Sequence, residues 1–227
     1  MLHLHSIFRS WDGEVNAFDG IGQPSVFIRT AGCPLRCSWC DTPDALNVQT
    51  AKHSLPWQKV FDSTTGFGIS KITLTGGEPL AQDENDLNNL VAAYEKNKFS
   101  LTIETGGSMQ ISRLQRDPAF TRFVIDYKLP SSGMEEKMIT QLFPVRYGFS
   151  ELDKIKMVIQ DWTDFQRAVK IVRMNAALKV PISQFCFSPM LDSESWPRIV
   201  EWLTRVENID VSAVNLNVQM HKILKMP

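Results

Sequence analysis

Three cysteines in one short segment constrain this chain more than any other feature of its sequence. Cys33, Cys37 and Cys40 follow a predicted strand and have the spacing C-x3-C-x2-C. Soft thiolate ligands suit iron–sulfur centres, and three of them can hold three irons of a cubane 4Fe-4S cluster. The fourth iron then stays open to a small molecule, which catalysis at a cluster requires. The spacing therefore predicts a catalytic iron–sulfur cluster on one tight loop.

A structural zinc site is the alternative interpretation of the same loop. Its fourth ligand would be Cys186 or one of the four histidines. Zinc loops usually carry two C-x2-C pairs or paired Cys and His, and only one such pair occurs here. Cys186 lies in an apolar run, where a small buried side chain is expected. A zinc-stabilised interaction domain is therefore the less favoured hypothesis.

The composition is that of an ordinary globular domain. The 227 residues are 43% hydrophobic and 22% charged, with a net charge of −1. This size predicts one domain with a sizeable core, and this charge gives no general attraction to nucleic acid or anionic lipid. No apolar run approaches membrane-spanning length, and the N-terminus lacks a signal-peptide pattern. Four cysteines, three of them clustered, favour a reducing compartment, so we expect the cytoplasm.

From Ser25 onward, apolar strands alternate with helices, which predicts an α/β fold with a parallel sheet and crossover helices. About six strands take part, fewer than the eight of a closed TIM barrel, so we expect an open, partial TIM-like barrel. An irregular segment between Lys128 and Asp153 predicts a crossover without a full helix, and Ser54 is the expected cap of the first helix. The predicted strands cover residues 2–8, 25–29, 71–75, 101–104, 123–125, 155–159, 182–187 and 213–218, with a polar loop at 10–24 and helices at 56–67, 86–98, from 163, and at 196–206.

Polar segments follow most of the predicted strands. Besides the cysteine loop, they are residues 76–78, 104–107, 126–128, 188 and 219–221. Ligands of parallel α/β folds bind at the carboxyl ends of the strands. Any one of these segments alone is an ordinary loop, but six together predict a shared site.

Two motifs resemble the radical S-adenosylmethionine (SAM) superfamily. One is the cysteine spacing, and the other is Gly-Gly-Glu-Pro at residues 76–79, about 35 residues further along. Longer stretches are similar to the 7-carboxy-7-deazaguanine synthase family, and the likeness extends from Ile7 to the end of the chain. These stretches are residues 25–33, 37–42, 103–107, 128–130 and 218–224.

The resemblance implies a lyase reaction and its cofactors. The family converts 6-carboxy-5,6,7,8-tetrahydropterin into 7-carboxy-7-deazaguanine with loss of ammonia, which feeds preQ0 and queuosine-type nucleosides. An electron from the reduced 4Fe-4S cluster cleaves SAM to a 5′-deoxyadenosyl radical, and the enzymes also need Mg2+. The resemblance further implies a homodimer, a reductant such as flavodoxin, and one domain over residues 1–227 with the cluster loop at 31–47 and a tail, 219–227, that closes the site.

The resemblance also assigns roles residue by residue. Arg29 would pair with the substrate carboxylate through its planar fork, and Thr42 would offer its hydroxyl to Mg2+, although a turn hydroxyl is the plain alternative. His221 is either a proton donor or a satisfied core histidine. The cluster ligands are Cys33, Cys37 and Cys40; the SAM contacts are Trp39, Cys40, Asp41, Gly76, Gly77, Glu78, Gly107, Asp126, Lys128 and Ser188; and the substrate contacts are Trp11, Asp12, Gly13, Glu14, Arg29, Thr105, His221 and Pro227.

Three positions depart from the family pattern. Asp12 stands where the family has Gln, Asp126 where it has Ser, and Ser188 where it has Gln. All three belong to the expected SAM and substrate contacts, and none belongs to the cluster. A radical SAM enzyme acting on a related heterocycle, or an activator of a glycyl-radical protein with the same cysteine spacing, is therefore the alternative function.

Overall fold

A computed structural model describes residues 1–18, 21–138, 148–178, 184–207 and 209–225. One twisted sheet of nine strands organises these residues. The strands are β1 (Leu2–Trp11), β2 (Pro24–Thr30), β3 (His53–Leu55), β4 (Lys71–Gly76), β5 (Ser100–Thr105), β6 (Thr121–Asp126), β7 (Lys154–Ile159), β8 (Gln184–Pro189) and β9 (Val214–Leu216). Their order across the sheet is β3-β1-β2-β4-β5-β6-β7-β8-β9.

Seven strands run parallel to one another: β2, β4, β5, β6, β7, β8 and β9. The sequence predicted about six. β1 pairs antiparallel with β2 and with β3. Within the described part of the chain, β3 and β9 are the two edges and are not paired with each other. The sheet is therefore an open, partial barrel, and the predicted fold class is confirmed.

Five helices accompany the sheet in the described residues: α1 (Trp57–Thr65), α2 (Glu84–Lys96), α3 (Trp162–Leu178), α4 (Ser195–Arg205) and α5 (Met220–Leu224). Four of them match predicted helices, and the short α5 was not predicted. The predicted cap by Ser54 is wrong, because Ser54 lies in β3 and Pro56 precedes α1 without a side-chain cap. The amide of Trp57 donates instead to Asp86 Oδ1 at 3.2 Å.

Two further sequence predictions need adjustment. The polar loop predicted at 10–24 is shorter, because β1 continues to Trp11, which pairs with Pro24. The first residues of the strand predicted at 182–187 lie outside the described residues. Between β6 and β7 the described residues form only short 3-10 turns, Pro130–Ser132 and Glu135–Lys137, as the irregular segment predicted.

The parallel strands have one apolar face and one polar face. Side chains of a strand alternate between faces, so each strand divides its residues by parity. On β4, Ile72 and Leu74 join the core formed with α1 and α2, whereas Thr73 and Thr75 point the other way. The same apolar core contains Leu101, Ile103, Phe123, Ile125, Ile155, Met157 and Ile159 of β5, β6 and β7. The polar residues therefore collect on the face opposite the helices.

No helix among the described residues has the length and apolar character needed to cross a membrane.

A buried ion pair fixes the start of β6 to the start of β7. Asp153 is fully buried and accepts from Arg116 Nη2 at 2.5 Å, from the amide of Phe123 at 2.8 Å and from the amide of Ser150 at 2.7 Å. Arg116 also stacks over the Phe123 ring, 4.6 Å from its centroid. The pair thus joins two strands that carry site residues at their other ends.

Asp153→Asn should destabilise the protein by about 3–5 kcal/mol, because it leaves the Arg116 guanidinium buried without its counter-charge. Urea unfolding followed by circular dichroism measures this. The matched control is Glu84→Gln, which removes the partner of Arg113 in a pair whose side chains are 43% and 51% exposed. The control should change stability by less than about 1 kcal/mol. Equal effects of the two variants would contradict the structural role of Asp153.

Candidate functional site

A cavity of about 570 Å3 opens at the carboxyl ends of β4 to β7. The cysteine loop after β2, the segment after β1 and the α5 region complete its wall. Of the residues predicted for the site, it is lined by Trp11, Asp12, Gly13, Glu14, Arg29, Cys33, Cys37, Trp39, Cys40, Asp41, Thr42, Gly76, Gly77, Thr105, Asp126, Lys128 and His221. Glu78, Gly107 and Ser188 do not line it, and Pro227 lies outside the described residues.

Close backbone packing holds the cysteine loop against the end of β4. The Gly32 amide donates to Ala45 O at 2.8 Å, and the Glu78 amide donates to Gly32 O at 2.8 Å. A Cβ atom at Gly77 would lie 2.3 Å from Gly32 O, which no side chain tolerates. Gly32 itself has a φ of +96°, in the region that glycine favours. Glycines therefore let the two predicted motifs meet backbone to backbone.

The three loop cysteines are partly buried and face the cavity. Burial raises the pKa of Cys33 to about 11, and burial also raises the pKa of Cys37, against the pull of the Lys128 ammonium. The thiols of Cys33 and Cys37 therefore hold their protons at neutral pH, and metal binding has to displace those protons.

The arrangement of these thiols fits a cluster better than a single zinc ion. Among the residues that the structure describes, no three His, Cys, Asp or Glu side chains are placed to hold one metal ion. In a cubane cluster each thiolate binds a different iron, so three thiolates need not converge on one point. Cys186 is buried in β8 and does not line the cavity. Cys186, one of the candidates for a fourth zinc ligand, therefore lies away from the cysteine loop.

Glu78 supports the site from behind instead of lining it. Its carboxyl accepts from the Leu80 amide at 3.0 Å, from Thr105 Oγ1 at 2.8 Å and from the Gly106 amide at 2.8 Å. Burial raises its pKa, and these donors oppose the shift. The carboxyl thus ties the turn after β4 to the turn after β5.

The other two predicted residues behind the wall are structural neighbours of the site. Ser188 Oγ accepts from Asn217 Nδ2 at 2.8 Å, which joins the end of β8 to the segment that follows β9. Gly107 has a φ of +70°, and a Cβ there would lie 2.8 Å from Ile125 Cγ2. Neither contact brings a polar group into the cavity.

Two lysines and two carboxylates form a buried network across the bottom of the cavity, which we call the floor. Lys156 Nζ lies 2.9 Å from Glu14 Oε2 and 3.3 Å from Asp126 Oδ2, and Lys128 Nζ lies 2.9 Å from the same Asp126 oxygen. Burial disfavours charge on Asp126, but the two ammonium groups lower its pKa below the usual range. Its second oxygen, Oδ1, is buried and has no hydrogen-bond partner within the described residues. Lys128 Nζ also lies 4.9 Å from the centroid of the Trp39 ring.

Asp12 is neutralised on the other side of the floor. Its carboxylate pairs with Lys71 Nζ at 2.9 Å and accepts from Thr73 Oγ1 at 3.2 Å. Thr73 in turn shares a hydrogen bond of 2.8 Å with Ser25 Oγ. Asp12, which stands where the family has Gln, is therefore paired with a buried cation, Lys71 of β4.

Sequence reasoning missed Lys156, and it placed Glu104 in a polar segment of the shared site without giving it a role; both residues line the cavity. Thr75 Oγ1 donates to Glu104 Oε2 at 2.7 Å. Burial raises the pKa of Glu104 to about 8, and the neighbouring Glu14 carboxylate adds to the shift. The available signal for both residues was parity: each is a charged side chain next in sequence to a core residue, Ile103 or Met157, and so points to the opposite face.

The rim of the cavity is cationic. Arg29 lines it and stacks over Phe8, 5.2 Å from the ring centroid, and its Nε finds no hydrogen-bond partner in the described residues. Lys222 and Lys225, on and just after α5, line the same cavity. This rim suits an anionic ligand, while the floor below it presents carboxyl groups.

The segment after β9 folds over the loop after β1. The Met220 amide donates to Gly13 O at 2.6 Å, and Gln219 Nε2 donates to Glu14 Oε2 at 3.3 Å. Lys222 Nζ donates to Gln219 Oε1 at 2.9 Å. This contact brings His221 to the cavity wall beside Glu14, where it helps Lys156 lower the pKa of that carboxyl against the effect of burial.

Comparison with known proteins identifies the class to which this fold and site belong. The profile of the radical SAM superfamily matches residues 27–128, from β2 to the lysine beside the cysteine loop. This part of the chain is therefore a radical SAM domain.

Its family follows from two relatives that are similar over most of both chains. The 7-carboxy-7-deazaguanine synthase of Clostridium acetobutylicum is 35% identical over 209 residues, which cover 91% of this chain and 89% of the relative. That of Leptospira interrogans is 32% identical over 240 aligned positions, which cover 97% and 94% of the two chains. The chain belongs to the 7-carboxy-7-deazaguanine synthase family. Its fold matches the crystal structure of QueE from Escherichia coli with a TM-score of 0.69 at 23% identity, covering 97% and 94% of the two chains.

Gly13→Ala should displace the segment after β9, because a Cβ at Gly13 would lie 2.5 Å from His221 Cβ and 2.8 Å from the His221 amide. We expect hydrogen exchange at the Met220 amide to accelerate by about tenfold or more, the effect of losing roughly 1.4 kcal/mol of local stability. Gly66→Ala is the control, since its nearest atoms would be 3.7 Å and 3.8 Å away. Unchanged exchange in Gly13→Ala would show that the contact does not hold this segment.

Proposed function

We propose that this chain is a radical SAM lyase that converts 6-carboxy-5,6,7,8-tetrahydropterin into 7-carboxy-7-deazaguanine with release of ammonia. The product would enter the route through preQ0 to queuosine-type nucleosides. One observation carries the proposal: the cysteine thiols, the acidic loop after β1 and Arg29 line a single cavity in a chain of the synthase family. Membership of that family and the cavity support the same reaction independently.

In this proposal Cys33, Cys37 and Cys40 hold a 4Fe-4S cluster. When bound, the cluster supplies the electron that cleaves SAM and so starts radical chemistry on the substrate. The backbone at Gly76 and Gly77 would receive the polar end of SAM. The remaining SAM contacts that line the cavity are Trp39, Asp41, Asp126 and Lys128, and Glu78, Gly107 and Ser188 would act from behind the wall.

The buried free oxygen of Asp126 is an acceptor with no protein donor in the described residues, which a ligand hydroxyl or amine can satisfy. Thr42 would give an oxygen ligand to Mg2+, the type of ligand that this cation prefers. Its Oγ1 lies 3.9 Å from Cys40 Sγ, so the cation would bind on the cluster loop itself, close to Cys40.

The cavity complements the two ends of a carboxylated pterin. The cationic rim at Arg29 and Lys222 suits the carboxylate, since a guanidinium can bind it with two hydrogen bonds. The carboxylate of Glu14 suits the N–H donors of the pterin edge, because an ionised carboxylate only accepts hydrogen bonds. Trp11, Asp12, Gly13, Thr105 and His221 would complete the substrate contacts, with residues 219–225 covering the ligand.

We further propose that the enzyme works as a homodimer in the cytoplasm with a reductant such as flavodoxin. The free thiols at the cavity support a reducing compartment, because an oxidising one would favour disulfides.

The reaction is tested by anaerobic reconstitution with iron and sulfide, followed by incubation with the carboxytetrahydropterin, SAM, Mg2+ and dithionite. Mass spectrometry should detect 7-carboxy-7-deazaguanine and 5′-deoxyadenosine. SAM cleavage without the deazaguanine would refute this substrate but keep the radical SAM class. A rate that does not change when Mg2+ is removed would take the cation out of the proposal.

Alanine at Cys33, Cys37 or Cys40 should abolish both iron retention and SAM cleavage, because two thiolates hold a cluster poorly. Iron and sulfide analysis, with 5′-deoxyadenosine measured in parallel, checks this. Cys186→Ala is the matched control, since Cys186 is buried in β8 away from the cavity. The control should keep its cluster and cost about 1 kcal/mol of stability. SAM cleavage that survives any of the three loop substitutions would contradict the ligand assignment.

A further inference from the structure

We propose that Glu104 is the catalytic group that exchanges protons with the substrate when ammonia leaves, an inference that rests on the proposed function. It lies at the cavity end of β5, next to Thr105 of the expected substrate contacts, and lines the cavity. No role was assigned to it by motif resemblance. Its position, its single hydrogen bond and its lack of a counter-ion carry the proposal.

Glu104 differs from the other carboxyl groups at the floor in having no cationic partner. Asp12 pairs with Lys71, and both Glu14 and Asp126 pair with Lys156. In the described part of the chain, Glu104 forms one hydrogen bond, from Thr75 Oγ1, and no ion pair. Its Oε1 thus makes no protein hydrogen bond that would compete with a ligand.

The groups around Glu104 favour its neutral form. Thr75 faces it from β4, the apolar Val124 is its register partner on β6, and the carboxylates of Asp12 and Glu14 face it from the loop after β1. Lys156 faces it from β7, but that ammonium is already paired with Glu14 and Asp126. Burial and the Glu14 charge raise the pKa to about 8. A carboxyl with such a pKa holds a proton at neutral pH and can give it up or take it back.

Release of ammonia needs such a group. The carbon–nitrogen bond breaks with its electron pair on nitrogen, which takes the Glu104 proton and departs as ammonia. The C–H bond on the adjacent carbon then breaks, its electron pair forms the C=C double bond of the new ring, and its proton returns to the Glu104 carboxylate. The residue ends as it began, and this elimination consumes no oxidant or reductant.

Glu104→Gln keeps the shape of the side chain but cannot transfer a proton, so it separates this step from the earlier chemistry. With ring-deuterated substrate, the reconstituted variant should still transfer deuterium into 5′-deoxyadenosine, while formation of 7-carboxy-7-deazaguanine and ammonia falls by about a hundredfold or more. Glu151→Gln, at an exposed surface carboxylate, is the control and should match the wild type in both readouts.

Two measurements do not depend on the loss of activity in one variant. The wild-type rate of product formation should fall as pH rises through about 8, because Glu104 then loses its proton. Thr75→Val removes a donor that favours the carboxylate, so it should move this fall to higher pH. Infrared difference spectra of the holoenzyme should show a protonated carboxyl at neutral pH that is absent from Glu104→Gln.

Several outcomes would overturn the proposal. Product formation by Glu104→Gln within a few-fold of the wild type would remove the catalytic role. Equal losses of deuterium transfer and product would reduce Glu104 to a structural residue, and absence of the infrared band would show that it is ionised. Failure of the proposed function is distinguishable, because the wild-type enzyme itself would then form no deazaguanine.

Discussion

Alternation of side chains along the parallel strands is the constraint on which this structure depends. Each strand of the central sheet gives one parity to the helix-covered core and the other to the opposite face. Ile103 and Glu104 are sequence neighbours, yet one is fully buried among apolar side chains and the other lines the cavity. A shift of one residue in any strand would exchange these surroundings. Core and site are therefore specified by the same register.

The electrostatics of the site follow from that shared register. Charged side chains on the face opposite the helices are removed from water when the chain folds, so each needs a counter-charge or a changed protonation state. Lys71 and Lys156, from two different strands, meet Asp12, Glu14 and Asp126 as counter-charges. Glu104 adopts the other solution and binds a proton. The floor of the cavity therefore carries charges of both signs, and it can present both hydrogen-bond acceptors and a proton donor to one ligand.

The sequence predicts what depends on local pattern or on a spaced motif. The strand and helix alternation, the open barrel and most of the cavity wall follow from such signals, as the places of Cys33 and Gly77 show. The prediction that Ser54 caps the first helix is wrong because Ser54 lies in β3 and pairs with β1. Rules based on neighbouring residues cannot detect pairing with a strand that is distant in sequence. Lys156 is missed and Glu104 receives no role, because the significance of a charged residue in a strand depends on which neighbours share its face.

The contact between residues 13–14 and the segment after β9 joins parts of the chain that are far apart in sequence, since Gln219 reaches Glu14 across 205 positions. Closing a loop of that length has a large entropic cost and gains little from any local structure. During synthesis, the acidic loop leaves the ribosome early and remains uncovered until almost the whole sheet has been made. The cluster loop and the first parallel strands are complete long before then. A nascent chain can therefore form its cluster-binding half well before the pocket has all of its walls.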